Sequence, residues 1–209
     1  MRLRSFCAAL MACGGLLLGN LNADAAIIQL DLAGIGGPGL TNANNVGANT
    51  ASPANSVATG TVNDLRVDDV SGLLSFDFSF AGLGGSLREE AAGGIHFHEV
   101  AAMDDPFTST GPIAFFLNNG TDPDVTLNTM LIDPAATSGN LAGTVNLAPA
   151  DVASLLDGRY YLNIHSDLGP AGELRGNVVV SAVPEPSTMV VLGLVGAGAA
   201  VRRRRRRQR

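Results

Sequence analysis

Leu74-Ser75-Phe76-Asp77-Phe78-Ser79-Phe80 carries the clearest structural signal in the chain. Successive side chains of an extended strand point to opposite faces, so Leu74, Phe76, Phe78 and Phe80 share one face and Ser75, Asp77 and Ser79 the other. One apolar and one polar face is what a half-buried antiparallel strand requires. On either side, Ile27 to Leu32, Val57 to Val67, Ile95 to Val100, Ile113 to Leu117, Val125 to Ile132, Leu141 to Leu147, Tyr160 to His165 and Leu174 to Val180 also read as strands. Gly36 to Ser56 and Gly84 to Gly94 read as loops, and Asn118-Asn119-Gly120 as a turn. One short helix is expected: Pro149 opens it, Asp151 suits its first turn, Val152, Leu155 and Leu156 form its apolar face, and Gly158 closes it. The expected fold is all-β, an antiparallel β-sandwich or closed barrel of about eight strands plus one short helix.

Both ends of the 209-residue chain differ from this middle. Arg2 and Arg4 precede an apolar stretch from Phe6 to Leu18, followed by Ala23-Asp24-Ala25, a small-x-small step that a signal peptidase could cut. The apolar stretch is shorter than the about 20 residues a permanent membrane helix needs. Residues 1–25 are therefore read as a signal peptide, and Leu10-Met11-Ala12-Cys13 as a false lipoprotein box. At the other end, Pro184-Glu185-Pro186 precedes an apolar stretch from Met189 to Val201 and an arginine run from Arg202 and Arg203 to Arg207. An apolar segment followed by arginines is a membrane stop with its basic end held on the cytoplasmic side. Residues 26–182 are left as the folded domain and 183–209 as a tail.

Charge and cysteine usage narrow the function. Lys is absent, and most of the 13 arginines sit at the two ends. The middle keeps Arg66, Arg88, Arg159 and Arg175 against all but two of the 19 acidic residues. So acidic a domain repels phosphate backbones, which argues against nucleic acid as a partner. Cys7 and Cys13 both lie in the signal, so the domain has no disulfide, no thiolate metal site and no cysteine nucleophile. The chain contains no nucleophile elbow, P-loop or dinucleotide fingerprint.

Two constellations carry chemistry. His96 and His98 flank Phe97, and period-two geometry places both imidazoles on one face of their strand. His165 ends another strand, and if the two are neighbours three imidazoles converge. Asp167 or Glu173 could supply an oxygen ligand, which is enough for a three-coordinate or four-coordinate zinc or copper site. The chain has too few imidazoles for a binuclear copper–zinc dismutase centre. The alternative is that the histidines are hydrogen-bonding strand residues. The second constellation is Gly169-Pro170-Ala171-Gly172-Glu173-Leu174-Arg175-Gly176. Here a glycine-rich turn precedes Glu173 and Arg175, which point to one side of a strand. They could pair with each other or with adjacent strands, as a structural charge pair or as a recognition edge.

Leu155-Leu156-Asp157-Gly158, then Tyr160-Tyr161-Leu162-Asn163-Ile164-His165-Ser166, then the turn with Gly172, Glu173, Arg175 and Gly176 resemble the CHRD domain, and Ile95-His96-Phe97-His98 matches that family's His-x-His strand. The chain departs from the family at Ala33 to Pro38, where a Glu-Val-Pro-Pro step is usual, and at Glu99-Val100, where a glycine turn is usual. The resemblance implies an immunoglobulin-like or copper–zinc-dismutase-like sandwich in an exported protein, with no established catalytic activity. The tail resembles the PEP-CTERM sorting signal in the order of its Pro-Glu-Pro, apolar and arginine parts. That resemblance implies signal peptidase and exosortase as processing partners. It also implies transient inner-membrane insertion, then delivery to the cell surface or extracellular matrix of a Gram-negative-type bacterium. The function expected from all this is a non-enzymatic surface or matrix module that binds exopolysaccharide or another surface protein, with a mononuclear zinc- or copper-binding domain as the alternative. No cofactor is established by sequence.

Overall fold

The computed structural model describes residues 25–46, 56–88, 93–118, 120–133 and 135–181. The signal step at Ala23, and the tail with Pro184, Glu185, Pro186, Arg202 and Arg203, lie outside the described residues. Among the described residues, no helix is long and apolar enough to cross a membrane.

Among the described residues, eleven strands and one α-helix follow in chain order. The strands are β1 (Ile27–Gly34), β2 (Gly37–Pro38), β3 (Leu40–Thr41), β4 (Thr59–Asp68), β5 (Leu73–Ala81), β6 (Ile95–Glu99), β7 (Ile113–Phe116), β8 (Val125–Ile132), β9 (Gly139–Asn146), β10 (Tyr160–Ile164) and β11 (Leu174–Val180). Helix α1 (Pro149–Leu156) stands between β9 and β10. All pairings are antiparallel, in the order β7-β6-β10-β11-β1-β4-β5-β9-β8, with β2 on β1 and β3 bridging β11 and β4. The all-β, sandwich-like expectation holds, but with eleven strands rather than about eight. The short strands β2 and β3 lie in a stretch read from sequence as loop. Strand β2 closes a tight hairpin on the end of β1, whereas the pairing of β3 comes from β4 and β11, distant in the chain, which local composition does not encode.

The pattern in β5 is realised as written. Leu74, Phe76, Phe78 and Phe80 are buried and Ser75, Asp77 and Ser79 only half-buried. Each fully buried aromatic or aliphatic side chain contributes about 1.5–3 kcal/mol. On the polar face, Asp77 accepts hydrogen bonds from Asn63 of β4 and Asn140 of β9, tying the strand to both neighbours. Helix α1 starts at Pro149 as expected, Asp151 accepts from the Ala148 amide, and Val152 and Leu155 are buried. Gly158 follows the helix at φ +74°, a left-handed conformation suited to glycine.

Strands β10 and β11 depart from the half-buried pattern. Every residue of β10 and the first five of β11 are buried. Tyr160, Leu162, Ile164, Leu174 and Val178 belong to the hydrophobic core. The alternate positions, Tyr161, Asn163, Arg175 and Asn177, form a second buried face that is polar. The segment between β6 and β7 packs against this polar face through backbone groups of Pro106, Ser109 and Gly111.

Candidate metal centre

Register brings the histidines together. In the β6–β10 ladder His96 pairs with Asn163 and His98 with Tyr161. His165, one residue past β10, donates its amide to the Gly94 carbonyl and so continues the same ladder. It therefore sits diagonal to His96 on the shared face, within reach of a ring. The ring centroids of His96 and His165 are 4.5 Å apart, those of His96 and His98 4.7 Å, and those of His98 and His165 6.3 Å. One ring nitrogen from each residue lies within 4.8 Å of the other two.

The hydrogen bonds fix the tautomers. His98 Nδ1 lies 2.8 Å from the Gly111 carbonyl and His165 Nδ1 lies 3.0 Å from the Pro170 carbonyl. A carbonyl only accepts, so each Nδ1 carries the proton and donates it. Each Nε2 is then a lone pair, and both Nε2 atoms are buried without a hydrogen-bond partner. Orienting an imidazole through one nitrogen and presenting the other is how proteins hold histidine ligands for a metal. Burial pushes the His98 imidazole down to about 4, opposed by the Gly111 carbonyl and reinforced by the charges of His165 and Arg175. Burial likewise lowers His165, opposed by the Pro170 carbonyl and reinforced by Arg88. Both rings are thus neutral near pH 7, the state a metal ligand needs. Three imidazoles suit zinc or copper.

Neither expected carboxylate joins them. Asp167 is exposed. Glu173, fully buried, accepts from Ser56 Oγ (2.5 Å), the Gly84 amide (2.8 Å) and Ser166 Oγ. Among the described residues, the metal-capable group consists of His96, His98 and His165.

Glu173 and Arg175 also take separate partners rather than each other. Arg175 Nη2 donates to the Pro106 and Ser109 carbonyls at 2.9 and 2.8 Å, and its Nε to Asn177 Oδ1 at 3.3 Å. Its guanidinium carbon lies 3.7 Å from the centre of the Tyr161 ring, which stacks on His98 at 4.6 Å and 4°. Arg175, Tyr161 and His98 thus form one stack across β11, β10 and β6, with Tyr161 separating the guanidinium from the imidazole. Gly172, at φ +117°, packs directly on the Asn163 side chain, where a Cβ would collide. Gly176 brings β11 against Leu32 of β1.

Sequence reading did not single out Tyr161, Thr41 or the backbone carbonyls of Gly111 and Pro170. A signal for Tyr161 was available: Tyr161, Asn163 and His165 alternate with apolar residues, as Glu173, Arg175 and Asn177 do. Two such neighbouring strands imply a shared polar face. Nothing in the composition signals the carbonyls, because every residue carries one.

A family model for the CHRD domain matches residues 39–178, and one for the PEP-CTERM protein-sorting motif matches residues 182–206. No curated protein and no solved structure gave a significant match to the chain.

Proposed function

This chain belongs to the CHRD domain family, and from that premise we propose that it acts as a surface-displayed binding module whose centre is one zinc or copper ion on His96, His98 and His165. Its PEP-CTERM motif makes it an exosortase-sorted, extracellular protein. The observation that carries the metal reading is the pair of buried Nε2 lone pairs on His98 and His165. Backbone carbonyls fix both rings, and His96 brings a third imidazole within ligand distance. Three nitrogen ligands leave a coordination position for a fourth donor. The ion would tie β6 to the end of β10, adding metal-binding free energy to folding. The expected partner of the displayed domain is exopolysaccharide or another surface protein, reached through its exposed loops.

The test is metal content. Exported protein equilibrated with micromolar zinc or copper and then desalted is expected to retain one ion per chain by elemental analysis. His98→Ala and His165→Ala are expected to retain none while keeping the parent's β-type circular dichroism. No retained metal in the parent, or full stoichiometry in both variants, overturns the assignment.

A further inference from the structure

Beside the imidazoles runs a second set of buried polar groups. Asn163 of β10 pairs with Arg175 of β11, and Arg175 with Thr41 of β3. Directly opposed residues in antiparallel strands place their side chains on one face, about 4.5–5.5 Å apart at Cβ. Asn163, Arg175 and Thr41 therefore form one row, which His96 extends on the β6 side.

The row is short of partners. Arg175 is 0% exposed, and its Nη1 has no hydrogen-bond partner. Asn163 is 1% exposed, and both Oδ1 and Nδ2 lack partners. Thr41 Oγ1 is likewise buried and unpartnered. The acceptors that Arg175 does have are two carbonyls and an amide oxygen, all neutral. It makes no ion pair with any described residue, since Glu173 is engaged by two serines and an amide. A buried guanidinium without a counter-charge is costly, and buried polar groups without partners add to the cost. A neutral molecule could supply hydrogen bonds here but would leave the charge uncompensated.

We propose that Arg175, Asn163 and Thr41 form a binding site for a small oxyanion of the carboxylate class. One anion oxygen accepts from Arg175 Nη1, the guanidinium being the side chain best shaped for a planar carboxylate. Asn163 Nδ2 and the Thr41 hydroxyl supply further donors. Gly172, flush against Asn163, holds the carboxamide in place. The site uses none of the three imidazoles, so it stands apart from the metal reading.

Formate is the probe, and chelator-treated exported protein is the sample, so that metal contributes nothing. Near the midpoint the chain repeatedly unfolds and refolds, so slow entry into the closed protein is no barrier, and the midpoint rises with anion binding to the native state. Sodium formate is expected to raise the midpoint saturably, beyond an equal concentration of sodium chloride. Thr41→Val keeps the side-chain shape and removes one donor. It is expected to weaken the apparent formate affinity about threefold to tenfold, the effect of one hydrogen bond. Asn163→Asp places a carboxylate opposite the guanidinium. It is expected to raise the midpoint in chloride alone and to abolish the formate response. A formate response no larger than that of chloride overturns the proposal. So does an unchanged response in Thr41→Val, or a lowered midpoint in Asn163→Asp.

Discussion

Removing the Glu173 carboxylate should unfasten three distant segments at once. Its oxygens accept from Ser56, ahead of β4, from the Gly84 amide, after β5, and from Ser166, after β10. Ser166 and Glu173 are fully buried. In Glu173→Ala the fully buried Ser166 hydroxyl loses its acceptor without water in its place, whereas half-buried Ser56 and exposed Gly84 lose the charged partner but can turn to solvent. A hydrogen bond to a charged group contributes about 1.5–3 kcal/mol, and a buried group left unsatisfied costs about 1–3 kcal/mol. With partial relaxation the loss should be about 3–5 kcal/mol, at the upper end for single substitutions. For a domain of this size that corresponds to a fall in Tm on the order of 10 °C. Glu173→Gln keeps the shape and can keep all three bonds if the Ser166 hydroxyl reverses to accept. The Ser166 oxygen has a lone pair for this beside the one that takes the Gly169 amide, but its buried hydroxyl proton then loses the acceptor it had. The glutamine variant should lose about half as much. Urea unfolding at pH 7, with midpoints compared at constant m, measures both. A double-mutant cycle with Arg175→Met adds a sharper reading. Because the two residues have separate partners, their effects should add within about 0.5 kcal/mol. An alanine variant within about 1 kcal/mol of the parent would refute the role as a three-way fastener. A coupling energy above about 1 kcal/mol would restore the ion pair that the spacing of Glu173 and Arg175 first suggested.

Two other expectations follow from the same geometry. Gly172→Ala puts a side chain at φ +117° and into the Asn163 carboxamide, so it should destabilise by about 2–4 kcal/mol in the same urea assay; a neutral effect would contradict the close packing there. In metal-free protein, the His98 imidazole falls from an ordinary 6.5 to about 4 on folding. A lowered folded-state value gives stability that is present above about pH 6.5 and lost as pH falls toward 4, at most about 3 kcal/mol for this group. His98→Gln should remove that portion of the slope between pH 6.5 and 4; identical slopes in the two proteins would show that His98 is not buried neutral.

The histidine cluster illustrates how far a local pattern reaches. His96 and His98 share a face because strands alternate, and that much is visible in three consecutive residues. That His165 lies diagonal to His96 depends on the β6–β10 register, a pairing across some 65 residues of chain. Which nitrogen each ring presents depends on the Gly111 and Pro170 carbonyls, and backbone atoms carry no residue identity. The expected Asp167 and Glu173 ligands failed for a related reason. Proximity in sequence to His165 does not bring a side chain to the face on which the imidazoles meet. Glu173 and Arg175 likewise share a strand side, yet two serines, an amide and the carbonyls of the β6–β7 segment reached them first.

From residue order alone came the acidic cysteine-free domain, the β class, the short helix and the sorting motif, because each is a local regularity of charge, alternation or spacing. Tertiary structure alone decided that β10 and β11 are buried on both faces, that Tyr161 stands between His98 and Arg175, and that a row from Asn163 to Thr41 is left with unpartnered groups. These features depend on which strands become neighbours and in what register. That choice is made by the burial of the whole apolar set together, and no short stretch of the chain encodes it.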